Sequence, residues 1–239
     1  MTLKNLVVGV AMVFVAACGG TDTDTDTDTK TDPPATQTNK LDVEQTVAVS
    51  SAAKKLILNN DFGAIKVVGE AGRNEVNMKP TLRSSDPGAG TIEVVQDGDS
   101  LIVQVSNTSS ETIAVDVVVY TPMALDFTVN TSGGALDLSG MVGGGVANTG
   151  AGNCTIDMEL GASSDLTVNT SNGNIALTLP NVTAATLTAS AGGGTLTIAS
   201  SLDFDGYSAM GNATGNLNGG GSSSINLVAT GGNIAVNGK

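Results

Sequence analysis

The sequence predicts an all-β protein: a parallel β-solenoid with rungs of about 20 residues, preceded by a less regular β half. Three observations predict it. First, the motif Gly-x-[Ile/Leu/Cys] recurs at Gly63, Gly134, Gly152, Gly173, Gly194, Gly215 and Gly232, with intervals of 18, 21, 21, 21 and 17 residues from Gly134 onward. Second, period-2 strands flank these glycines, such as Leu166-Thr167-Val168 before Gly173 and Ile175-Ala176-Leu177 after it. Third, the composition suits many short strands and tight turns, with 31 Gly in 239 residues and only 3% aromatics.

The elements follow in chain order. Residues 1–17 read as a signal peptide: Lys4 in a short polar start, an apolar run Leu6 to Val15 broken only by Gly9, and small residues Ala16 and Ala17 before Cys18. The run is shorter than the roughly 20 residues a membrane span requires. Val15-Ala16-Ala17-Cys18 resembles the lipobox of bacterial lipoproteins, which implies that the Cys18 thiol is acylated and becomes the first residue of the exported chain. Two or three acyl chains, at about 0.8 kcal/mol per buried CH₂, make such an anchor effectively permanent. Gly19 is not the aspartate that such proteins use for inner-membrane retention, so the resemblance implies the outer membrane.

Residues 18–40 form the tether. Asp22, Asp24, Asp26 and Asp28 alternate with threonine, and Pro33-Pro34 follows. Nothing apolar is available there to offset the entropy of ordering, and the carboxylates repel, so an extended flexible spacer is expected. Asp-x-Asp spacing alone makes no calcium loop, because the turn glycine and bidentate glutamate are missing.

Residues 41–239 are the folded domain. In its first half, Leu56 to Gly69 reads as one rung. Thr91–Val95 and Leu101–Val105 read as a hairpin around Gln96-Asp97-Gly98-Asp99, and Val115 to Tyr120 as an apolar strand. This half is expected to open or cap the stack. From Gly134 on, each unit is strand, glycine turn, strand. A unit of about 20 residues cannot bury its own apolar face, so units must stack, about 4.8 Å apart. Asn130, Asn148, Asn169 and Ser190 stand four residues before their glycines, and Thr131, Thr149 and Thr170 follow them. Stacked in register, these columns predict side-chain ladders. The glycines are expected at positive φ, and Cys154 in the inward column with Ile175 and Leu196.

The order of segments resembles the bacterial "putative adhesin" β-helix domains over residues 45 to 239. The resemblance rests on Leu56-Ile57-Leu58, Gly63 to Gly69, Gly98 to Val105, Val115 to Pro122 and Val129 to Gly140. It implies right-handed winding and an adhesive role, and carries no catalytic residues.

Charge bounds the partners. The net charge is −13, and no Lys or Arg stands between Arg83 and Lys239. Nucleic acid needs basic phosphate contacts, so it is excluded as a partner. The expected function is therefore a non-catalytic, lipid-anchored envelope module with an acidic β-solenoid, binding a protein or glycan or serving structurally, without cofactor or metal. The alternative is an envelope polysaccharide-active enzyme. Asp126 and Asp165 are its candidate carboxylates, two rungs or about 9–10 Å apart, which is wide for a retaining pair and marginal for an inverting one. The post-glycine column Asp137, Thr155, Ala176, Thr197, Asn218 and Ala235 supplies no acidic cluster. Finally, the last rung, Gly231 to Gly238, ends one residue before Lys239. An uncapped end predicts weak self-association through it.

Overall fold

Alternation of apolar and polar residues is the local rule, and the computed structural model shows where it leads. It describes residues 45–48, 53–82, 90–107 and 114–239, which contain no α-helix. Cys18, the signal segment and the tether lie outside the described residues. β1 (Gln45–Ala48) precedes a first strand pair, β2 (Lys55–Asn60) and β3 (Ile65–Glu70). β4 (Glu75–Leu82) and β5 (Gly90–Asp97) lead to the pair β6 (Ser100–Asn107) and β7 (Val115–Pro122). Four pairs follow: β8 (Asp126–Thr131) with β9 (Leu136–Gly143), β10 (Gly145–Thr149) with β11 (Cys154–Leu160), β12 (Asp165–Thr170) with β13 (Ile175–Leu179), and β14 (Ala185–Ala191) with β15 (Leu196–Ile198). The hairpin β16 (Phe204–Ala209) and β17 (Asn212–Leu217) comes before the last pair, β18 (Ser224–Ala229) and β19 (Ile234–Gly238).

The first strand of every pair joins a ten-stranded sheet and the second a nine-stranded sheet. Neighbouring pairs run parallel and in register, as Leu56–Phe127–Gly145–Leu166–Ile225 shows in one sheet and Leu136–Cys154–Ile175–Ile234 in the other. Neither sheet closes on itself. Inward residues from both sheets form one buried apolar cluster around Leu58, Val129, Val168, Leu138, Ile156 and Leu177. Each such side chain contributes about 1.5–3 kcal/mol when removed from water. Phe127 is the largest of the fully buried side chains. The predicted hairpin is present: β5 and β6 pair antiparallel from Asp97–Ser100 outward, and Gly98 takes φ +59° in the turn.

The strand pairs do not stack in chain order. Along the ten-stranded sheet the order is β5-β6-β2-β8-β10-β12-β18-β14-β17-β16, and along the other β1-β4-β7-β3-β9-β11-β13-β19-β15. One exchange of order therefore occurs at each end: β6/β7 lies outside β2/β3, and β14/β15 lies outside β18/β19. The C-terminal pair is consequently not an open end. β18 sits between β12 and β14, and β19 between β13 and β15. Lys239 is held as well, its N–H donating to Leu179 O at 2.9 Å and its ammonium ion-paired with Asp157. The edge expected to carry self-association is thus already paired on both sides.

The inserted hairpin β16–β17 explains the misread repeat. Gly215 lies in β17, which runs antiparallel to β14, so Gly215-Asn216-Leu217 is not a turn of the stack and Asn218 is not in the post-glycine column. Antiparallel strands finish most outer edges: β4 and β1 on the nine-stranded sheet at one end, β5 on its partner, and β17 with β16 at the other. Unpaired edges invite foreign strands, and covering them removes that hazard. At the second end the nine-stranded sheet stops at the three-residue β15.

The repeat glycines have a reason other than the expected one. Only Gly63 takes positive φ, at +125°. In the others, a Cβ would sit 1.9 Å from Gly63 O at Gly134, 1.9 Å from Gly134 O at Gly152, and 2.0 Å from Gly173 O at Gly232. Gly134, Gly152, Gly173, Gly194 and Gly232 each rest on the glycine carbonyl of the neighbouring pair, and no side chain fits between them.

A polar groove across five strands

The sequence columns become a surface. Register aligns Asn59, Asn130, Asn148 and Asn169 on β2, β8, β10 and β12. Asn130 Nδ2 donates to Asn59 Oδ1, Asn148 Nδ2 to Asn130 Oδ1, and Asn169 Nδ2 to Asn148 Oδ1, each at 2.8 Å. The predicted ladder is therefore real, with Asn59 as an added member. Ser190 is not adjacent to Asn169. Val228 of the inserted β18 stands between them and ends the ladder.

The threonine column behaves differently. Thr131, Thr149 and Thr170 are buried and do not bond to one another. Their hydroxyls donate to the carbonyls of Gly63, Gly134 and Gly152 at 3.1, 2.8 and 2.9 Å. Each ties a sheet strand to the glycine turn of its neighbour, with a side-chain hydroxyl satisfying a turn carbonyl. Asn60 occupies the same column on β2, and its Nδ2 donates to Val115 O at 2.8 Å. Its Oδ1 is buried and has no donor among the described residues.

These columns line one groove of about 440 Å³ where the ten-stranded sheet turns toward its partner. The floor is the asparagine ladder with Val228. The rim is the turn, including Asp61, Ser132, Ser171 and Thr230. The groove crosses five strands, about 19 Å at 4.8 Å per strand, and is about three residues wide. Asp61 is the single charged residue in its lining. Phe62, next to Asp61 and 37% exposed, packs toward Gly133 beside the rim.

A second ladder runs along the turns of the other sheet. Asn153 Oδ1 accepts from Asn174 N, Asn174 Oδ1 from Asn233 N, and Asn233 Oδ1 from Thr195 N, at 2.9, 2.8 and 2.8 Å. It follows spatial order, 153–174–233–195, and so records the exchange of pairs independently of the strands.

Cys154 is fully buried between Leu136 and Ile175, in the column the sequence predicted. Burial pushes its thiol up to about 12. The thiol is therefore neutral at ordinary pH and unreactive.

The candidate acid pair is tied down. Asp126 and Asp165 share a column with Gly144 between them, as register requires. Asp126 Oδ1 accepts from Gly144 N at 3.0 Å, and Asp165 Oδ1 accepts from Ser224 Oγ. Lys55 stands beside Asp126 in register, a neighbour the sequence did not place there. Asp137 is ion-paired with Lys66 at 3.3 Å.

No family model matches the chain, and no curated protein matches its sequence. The fold has a counterpart in the crystal structure of a "putative cell adhesion protein" from Clostridium sporogenes, at 15% identity and TM-score 0.50, covering 82% of this chain and 99% of that one. A "putative adhesin" from Bacteroides fragilis aligns over 81% of this chain and 96% of its own at 11% identity, with TM-score 0.25, a level that establishes no shared fold.

Proposed function

We propose that the chain is a non-catalytic adhesion module of a bacterial envelope, anchored through lipidated Cys18 and held off the outer membrane by the Thr/Asp tether. In this reading each strand pair is one coil of a right-handed β-solenoid of about 20 residues per rung. The observation that carries the proposal is the groove. It is an open, polar, pre-formed surface, fixed by ladder bonds and by buried threonines. Binding to a surface already ordered costs less entropy than ordering loops around a ligand. The fold shared with the Clostridium sporogenes structure supports the same reading. Within the alternative enzymatic scheme, Asp126 and Asp165 would have to abandon the hydrogen bonds that hold them.

Cells carrying the full chain, cells lacking it, and cells carrying Cys18→Ser test the proposal together. Palmitate labelling that needs Cys18 and is blocked by globomycin is expected. So are release of the domain by protease from intact cells, and adhesion to matrix or glycan surfaces that the other two cell lines lack. Labelled protein that stays protected from protease and confers no adhesion would end the adhesive reading.

A further inference from the structure

We infer that the groove over Asn59, Asn130, Asn148 and Asn169 is a binding site for an uncharged polysaccharide, lying as one extended chain across the strands. The inference rests on the binding role proposed above and gives that role a site and a ligand class.

Shape excludes most alternatives. The groove is about 19 Å long and about 7 Å wide, room for one linear polymer running along the stack. It lies on the face of the sheet, where every strand crossed has neighbours on both sides. An extended peptide therefore finds no free backbone edge to pair with. Its apolar side chains would find only Val228 as a sizeable apolar contact in the lining.

Chemistry then selects the polymer. An asparagine amide has two donor hydrogens and an acceptor oxygen with two lone pairs. Within the ladder, Asn130 and Asn148 each spend one N–H and one lone pair on their neighbours. One donor and one acceptor remain on each, repeated about every 4.8 Å. A sugar hydroxyl is itself donor and acceptor, so a row of hydroxyls matches a row of such amides.

Charge selects among polysaccharides. Asp61 is the only ionised group in the lining, in a protein of net charge −13. No cation is present there to hold a uronate, sulfate or phosphate. The lining also holds no aromatic ring, so each sugar binds weakly. Useful affinity comes from many sugars on many anchored copies.

The test titrates the full-length protein in detergent with neutral oligosaccharides of mannose, glucose and N-acetylglucosamine, and with alginate oligomers as the anionic comparator. Binding of at least one neutral series and not of alginate is expected, with shifts in the side-chain amide resonances of Asn130 and Asn148. Ser132→Arg with Ser171→Arg blocks the rim at two exposed positions and is expected to weaken binding about tenfold or more. Thr155→Arg, on the outer face of the other sheet, is expected to leave it unchanged. Thermal unfolding of both variants confirms that each is folded. Neutral glycans that fail to bind, or that bind the rim variant undiminished without moving those resonances, overturn the inference, as does preference for alginate. Adhesion of cells separates the two claims. If rim-variant cells adhere as well as the parent, the groove is not the site while the adhesive role stands. If parent cells do not adhere, that role itself fails.

Discussion

Gly133 and Gly134 are adjacent in the chain, and a single methyl group separates their roles. At Gly133 an added Cβ would lie 3.5 Å from the Phe62 ring, an ordinary contact, whereas at Gly134 it would lie 1.9 Å from Gly63 O. Gly133→Ala is therefore expected to change stability by less than about 0.5 kcal/mol, and Gly134→Ala to cost about 3 kcal/mol or more, read by denaturant unfolding. The recurrence of Gly134 was legible in the sequence, but its cause was not. Spacing marks a glycine without saying whether it needs φ or needs room. Cys154 makes a second test at this scale. Its thiol is raised from 9.0 to about 12 by burial, so the unfolded chain loses its proton first as pH rises. Its contribution is complete below pH 9 and is lost progressively between 9 and 12. Unfolding measured at pH 8 and pH 10.5 should show a loss of stability at the higher pH that is smaller in Cys154→Ala.

Ladders are properties of elements, and their bonds should be countable. Asn148 has ladder bonds on both sides and Asn59 on one. Replacing each by alanine is expected to cost about 2 and about 1 kcal/mol respectively, at 0.5–1.5 kcal/mol per bond. Val228→Asn should do the reverse and extend the ladder onto β18 beside Asn169, raising the unfolding midpoint. Asn130, Asn148 and Asn169 could be aligned from sequence because their glycines are 18 and 21 residues apart. Asn59 escaped that alignment, since 71 residues separate Gly63 from Gly134 and β4 to β7 fill the interval. Gly215 shows the opposite failure. A strand of alternating residues after a glycine reads the same whether its partner runs parallel or antiparallel.

For the whole molecule, chain order and spatial order differ, and the difference places the C-terminal strand pair inside both sheets. Deleting 218–239 takes away an inner layer of both sheets, so the shortened chain is expected to lose cooperative unfolding altogether, by circular dichroism, where an in-order stack would only be trimmed. Nothing in the strand sequences announces this. β12, β14 and β18 carry the same alternation, and register alone does not choose among them. That degeneracy acts while the chain folds from its amino end. β14 is made before β18, and until β18 arrives the edge of β12 is the place where β14 fits. The native arrangement then requires β14 to give way to a late arrival, so the protein carries a built-in kinetic trap. Refolding in vitro is expected to show a slow phase that vanishes in a permuted chain placing β18 and β19 ahead of β14.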